Sequence, residues 1–175
     1  MTTNFNFRNE CLYKYDQEVY KRFLELFNCL PLGCVINKRF ITFHGGISPQ
    51  LMQIEDIDKI DRFREPPYNG IFCDILWSDP VENVLGDQSK EYIKNTKRGC
   101  SFTYGKRAVM NFLKRNNLKT LIRAHEVQLD GYKMFKWGKD SFPNLITIFS
   151  APNYCDSYNN KGAVIKLTND ALNIT

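Results

Sequence analysis

Histidine is scarce in this 175-residue chain. Only His44 and His125 occur, so any chemistry that needs a cluster of imidazoles has two to work with. Long apolar runs are missing too. None approaches the roughly 20 residues of a bilayer-spanning helix, and the opening MTTNFNFRNE has no apolar stretch behind a basic one, so neither a membrane partner nor a secretory signal is expected. The six cysteines lie at irregular spacings without a C-x-x-C pair. They are expected to be free thiols, several of them buried, in a reducing compartment. Several motifs fail by inspection. His125-Glu126 begins an H-E-x-x-H, but position 129 is Leu. Gly99 to Lys106 resembles a phosphate loop whose second Gly comes one place late and whose Ser/Thr is replaced by Arg107. No cysteine has an arginine six residues on, as a cysteine-dependent phosphatase requires, and G-x-S-x-G is absent. Excess charge is small, with 24 Lys and Arg against 19 Asp and Glu, a net +5. By itself that does not point to nucleic acid, and no nucleic-acid partner is expected.

What is present is apolar and aromatic. Hydrophobic residues make up 43% and aromatics 14%, with 13 Phe and 9 Tyr, which excludes a disordered chain. At this mass about 70% of the unfolded surface is buried on folding, enough for one sizeable domain or half of a large one. Residues 13–28 repeat Val19, Tyr20, Phe23, Leu24 and Phe27 at helical spacing. LGCVI and RFITFH flank Asn37-Lys38 as a hairpin ending at His44. The charged stretch 54–64 reads as one short helix, 66–80 as a loop-rich middle, 83–97 as polar and exposed, and 105–117 as a second amphipathic helix. The rest is mostly β: TLIRA, GYKMFKW, LITIF, then GAVIKL and ALNIT around Asn169-Asp170. Between LITIF and GAVIKL lies SAPNYCDSYNNK, a twelve-residue loop of a length more often functional than idle.

Both histidines directly follow expected strands, a position suited to a metal ligand, to acid–base work or to a satisfied structural residue. Gly45-Gly46 suit a close backbone approach, a positive φ or simply a tight turn. Arg98-Gly99, read as standing before a helix, would suit a phosphate, whose two oxygens match the guanidinium fork; the bland alternative is a surface arginine. Asp74, Asp79 and Asp156 fall in expected loops and read as turn or cap residues.

Taken in order, FHGGISP, CDILWSDP, RGCSFTYG, RAHEVQLDGY and LITIFSAPNYCDSYNNKGAV resemble the phosphoprotein phosphatase family of serine/threonine phosphatases. NCLPL, DRFREPPYNG and FLKRNNL are similar to its calcineurin branch, and the resemblance covers residues 5–175. It implies an α+β fold, part of a metallophosphoesterase β-sandwich flanked by helices with mixed sheets. It also implies two metal ions (Fe and Zn, or Mn) that activate a water for attack on a phosphoserine or phosphothreonine ester of a phosphoprotein substrate. His44 and His125 resemble two ligands of one metal, and Arg98 a phosphate clamp. Tyr154 resembles the aromatic residue at the mouth of the site, with Trp77 and Asp156 on the substrate side. The family's upstream motifs GDxHG, GDxVDRG and GNHE do not occur here. Residues 1–175 are therefore expected to be the C-terminal half of a catalytic domain, with at most a partial site for one metal. The resemblance further implies a calcineurin B-like regulatory subunit and calmodulin, whose binding segments would follow Thr175, and a cytoplasmic or nuclear location. A peptide-docking sheet edge is implied beside Tyr132, Met134, Asn173 and Ile174, so a non-catalytic docking module stands as the alternative.

Overall fold

The computed structural model describes residues 2–81, 90–138, 141–168 and 171–175. They fall into two compact units. The first combines the chain up to Pro31 with Asp61–Pro66, and the second combines Leu32–Ile60 with the chain from Pro67 onward.

In the first unit the single helix expected over 13–28 is two helices, α1 (Phe7–Lys14) and α2 (Gln17–Cys29). The break is chemical: Asp16 adopts extended backbone and its carboxylate accepts the Val19 N–H at 2.9 Å, an N-cap that starts a new helix. The Phe7 ring then meets Phe23 edge-on at 5.3 Å and Phe27 at 5.6 Å. Cys11 and Tyr20 are buried, whereas Leu26, Phe27 and Leu30 stay exposed.

The second unit is organised by a five-stranded sheet in the order β1-β2-β6-β8-β7. Its strands are β1 (Gly33–Ile36), β2 (Phe40–Phe43), β6 (Thr120–Arg123), β7 (Tyr132–Phe135) and β8 (Leu145–Ile148). β1 and β2 form the expected hairpin, with Asn37 and Lys38 both at positive φ (51° and 56°), as a tight two-residue turn requires. β2, β6 and β8 run parallel, and β7 closes the edge antiparallel. Alternation along the three parallel strands divides the core. Ile41, Phe43, Leu121 and Leu145 pack with Ile75 and with Ala108, Val109 and Phe112 of α4 (Lys106–Arg115). Phe40, Ile122 and Ile146 face the other way, onto a two-stranded ribbon of β9 (Ile165–Thr168) and β10 (Ala171–Ile174), which contributes Ile165, Leu167, Leu172 and Ile174.

Three expectations fail here for physical reasons. The loop-rich middle contains α3 (Gly70–Trp77), whose GIFCDILW buries four consecutive residues, Phe72 to Ile75. A helix covered on several sides carries no polar stripe to reveal it. The helix expected over 54–64 is a 3-10 turn limited to Ile54–Lys59, pinned where Asp56 accepts the Gln53 N–H at 2.8 Å. The polar stretch 83–97 falls partly outside the described residues, but its end forms β4 (Tyr92–Lys94), which pairs with β5 (Phe102–Tyr104) beside β3 (Asp79–Pro80). Asn95, just past β4, is buried.

Candidate active site

β2 and β6 are parallel neighbours with Phe43 opposite Arg123. The residues that follow them, His44 and His125, therefore emerge at the same carboxyl end of the sheet, where open sheets present ligands. The Ala124 N–H donates to the His44 carbonyl at 3.0 Å and extends that pairing past both strands. His44 Nε2 and His125 Nδ1 lie 2.9 Å apart, with ring centroids separated by 4.7 Å. Trp77 stands edge-on to the His125 ring at 5.3 Å; it is the last residue of α3 rather than part of a loop. His125 holds φ at 60°, a left-handed conformation that costs a non-glycine residue about 1–3 kcal/mol and persists only where surrounding contacts impose it.

Gly45 and Gly46 are needed for close approach and not for positive φ. A Cβ on Gly45 would lie 2.7 Å from the Leu76–Trp77 backbone, and one on Gly46 would run into the Tyr104 ring. The Gly45 and Gly46 N–H groups both donate to the Ile75 carbonyl, at 2.7 and 3.3 Å. The histidine loop is thus bolted to α3.

Sequence reasoning missed the group that holds this arrangement together. Asp79, read as a turn residue, is buried in β3 and binds two arginines. Arg98 Nε donates to its Oδ2 at 2.8 Å, and Arg123 Nη2 to its Oδ1 at 2.8 Å. Asn95 Nδ2 adds a third donor at 2.9 Å. Arg123 has a fully buried side chain. It also donates to the carbonyls of Gly45 (2.6 Å) and Ser78 (3.1 Å) and to the Glu126 carboxylate (2.8 Å). One guanidinium so ties together both histidine loops, the end of α3 and the carboxylate that orients Arg98. Arg98 itself precedes β5 and does not stand at the start of α4, so the expected helix terminus plays no part; it also donates to the His125 carbonyl at 3.4 Å. The available signal was an arginine inside the apolar strand TLIRA, since a buried guanidinium demands a carboxylate partner.

The charges act on the imidazoles. His44 keeps one side open to solvent, yet desolvation by packed protein, reinforced by the Arg123 and Arg98 charges, lowers its pKa. His125 is pushed down to about 3 by burial first, then by Arg98 and His44. Both rings are neutral at pH 7, the form in which imidazole binds metals. Burial alone would raise Asp79, but its hydrogen bonds from Arg98 and Asn95 and the Arg123 charge hold it below the ordinary carboxylate range.

The facing nitrogens share a hydrogen bond at 2.9 Å, and these two imidazoles would be the residues to hold a single ion there. His125 Nε2 is buried without a hydrogen-bond partner, whereas a ligating imidazole ordinarily donates its second N–H. Among the described residues no group of three or more His, Cys, Asp or Glu could hold a metal. The pair fits half of a coordination shell.

Tyr154 and Asp156 lie on a 3-10 turn (Tyr154–Asp156) in the twelve-residue loop. The Tyr154 ring rests edge-on against Phe149 at 5.1 Å, and its N–H donates to Asn160 Oδ1 at 2.9 Å. Buried Asn160 donates in turn to the Ala151 and Lys161 carbonyls. This loop is organised around its own asparagine, while His44, Trp77, Arg98 and His125 gather in one cluster. Tyr132 and Met134 are partly exposed on β7, the sheet edge. Asn173 and Ile174 belong to the separate ribbon, where Asn173 is exposed and Ile174 packs against the core.

The sequence profile described as calcineurin-like phosphoesterase matches residues 4–129. The chain is 50% identical over 183 aligned positions to serine/threonine-protein phosphatase 2B catalytic subunit A1 of Saccharomyces cerevisiae, and 42% identical over 200 to subunit A2 of the same yeast. Each alignment takes in 99% of this chain and 33% of the relative, so the chain spans about a third of the length of the curated relatives it matches. A solved Saccharomyces cerevisiae protein serine/threonine phosphatase with similarity to human phosphatase PP5 superposes with a TM-score of 0.82 at 33% identity, covering 99% of this chain and 56% of that one. The mixed sheets with helices on one face and a ribbon on the other agree with the fold expected from the sequence. The chain belongs to the calcineurin-like phosphoesterase family.

Proposed function

We propose that this chain carries the phosphate-reading side and two metal ligands of a metal-dependent protein serine/threonine phosphatase, with the remaining coordination supplied from outside residues 1–175. The observation that carries the reading is the convergence of His44, His125 and an Arg98 aimed by Asp79. The two imidazoles would hold one ion of the Fe, Zn or Mn type; when bound, such an ion polarises a phosphoryl oxygen and lowers the pKa of a coordinated water. Arg98 gives Nε and Nη2 to Asp79. Its side chain is 21% exposed, and the remaining Nη1 face is the side that meets the phosphate of a phosphoprotein. Trp77 fixes the His125 ring from one edge, and Tyr154 and Asp156 supply the substrate-side loop. Six free cysteines suit a cytoplasmic or nuclear location.

The test places this chain in the matching third of the yeast 2B catalytic subunit A1 and follows phosphate release from a phosphoserine peptide with added Mn²⁺. The chimera is expected to turn over. His125→Ala should lose at least about 100-fold in kcat/KM, and Arg98→Ala about 10- to 1000-fold. Undiminished activity in His125→Ala would refute the assignment. A second reading, a docking module without chemistry, draws on the exposed Tyr132 and Met134 at the β7 edge; saturable binding of an extended peptide, weakened by Tyr132→Ala, would support it.

A further inference from the structure

Asn95 directly follows β4 and is 4% exposed, yet each of its polar groups is used. Its N–H donates to the Ser101 carbonyl at 3.0 Å, and its carbonyl accepts the Gly99 N–H at 3.1 Å, which closes residues 95–101 into a loop. The side chain serves Arg98. Asn95 Oδ1 accepts the Arg98 N–H at 3.2 Å, and Nδ2 donates to Asp79 Oδ2 at 2.9 Å. These partners settle which way the amide points, since the flipped form would set an NH₂ against an N–H and an oxygen against a carboxylate. Asp79 Oδ2 is also the atom that takes Arg98 Nε, at 2.8 Å. Asn95 therefore grips Arg98 twice, directly at its backbone and through a shared carboxylate oxygen at its guanidinium. Asp74, expected in a loop but buried in α3, is met instead by Ser48 Oγ at 2.6 Å. The loop needs such a hold: Ser101 sits at a φ of 63°, a left-handed conformation that persists only where contacts impose it.

We propose that Asn95 is a positioning residue for phosphate recognition, fixing the Arg98 loop and the Asp79 carboxylate together so that the guanidinium is held beside the His125 loop before phosphate arrives. A neutral amide suits this task. A carboxylate at position 95 would face Asp79 with like charge and compete with phosphate for Arg98. The proposal rests on the phosphatase reading for what Arg98 binds and on the hydrogen bonds alone for how Arg98 is held.

The first experiment follows proton exchange with water at the arginine Nε–H groups of the whole chain by NMR, with Arg98→Lys identifying the Arg98 signal. Asn95→Ala is expected to speed exchange at Arg98 Nε–H at least about tenfold. Arg123 Nε–H, which donates to the Gly45 carbonyl, should keep its rate. Equal acceleration at both arginines would reduce Asn95 to a purely structural role, and no acceleration at Arg98 would show that Asn95 does not hold it; either result overturns the proposal. Asn95→Ser keeps an acceptor for the Arg98 N–H and serves if the alanine variant does not fold; its effect should have the same sign and smaller size. The second experiment uses the chimera with the yeast subunit. Asn95→Ala should lose about 10- to 100-fold in kcat/KM, and adding Arg98→Ala should cost little more, because Asn95 acts through Arg98. Strictly additive losses would overturn the proposal. Full turnover in Arg98→Ala alone would instead count against the phosphatase reading, while the exchange rates judge the hold on Arg98 independently.

Discussion

Arg123 and Asp79 show how much of this site depends on one buried ion pair. Breaking such a pair by removing one partner leaves an uncompensated charge and costs about 3–5 kcal/mol, whereas replacing both by apolar residues costs far less. Urea unfolding should therefore show Arg123→Met losing about 3–5 kcal/mol, and Asp79→Leu with Arg123→Met losing less than the sum of the single changes; strict additivity would mean that the pair is not coupled. The two buried aspartates also predict opposite pH behaviour. Asp79 is held below its ordinary value, so its contribution is present above the unfolded carboxylate pKa of about 3.9 and is lost as pH falls through the lower folded value. Asp74 is raised by burial, so ionising it costs stability, and that cost appears as pH climbs through the raised value. Asp79→Asn should flatten the acid limb of the stability profile. Asp74→Asn should gain stability relative to the parent between pH 4 and pH 7. Parallel profiles for the two variants would contradict both assignments.

At the scale of elements, the contact of the histidine loop with the end of α3 sets the geometry. Gly45→Ala drives a Cβ into backbone at Leu76 and Trp77, which cannot swing aside as a side chain can. A loss of about 1–3 kcal/mol is expected, read as a melting temperature lower by roughly 2–10 °C for a chain of this size; an unchanged melt would show the loop to be compliant. Sequence pattern reveals some of these elements and hides others. The β1–β2 hairpin was legible because Asn37-Lys38 tolerates a left-handed turn and the flanking residues suit strands. α4 was legible because Ala108, Val109, Phe112 and Leu113 mark one face. α3 was hidden by burial on several sides, and α1 by having almost no apolar stripe in FRNECLYK. Both histidines and Arg98 were singled out through their motif contexts. Asp79 was not, because its meaning lies in Arg123, 44 positions away along the chain.

For the whole molecule, the two units differ in how much they bury. Cys11 and Tyr20 are the buried apolar residues described in the first, whereas the second buries apolar residues from β2, β6, β8, α3 and α4. Amide exchange should follow that division, with Leu121, Ile122 and Ile146 protected at least about 100-fold longer than α1; uniform protection would show that the units open together. The order of the central sheet carries one more consequence. Phe40 of β2 pairs with Thr120 of β6, eighty positions later. At synthesis rates of about 5–20 residues per second, β2 waits roughly 4–16 s on the ribosome before its neighbour exists. During that interval the side of β2 that β6 will cover has no partner, and an unpaired apolar strand edge is the kind of surface that invites aggregation.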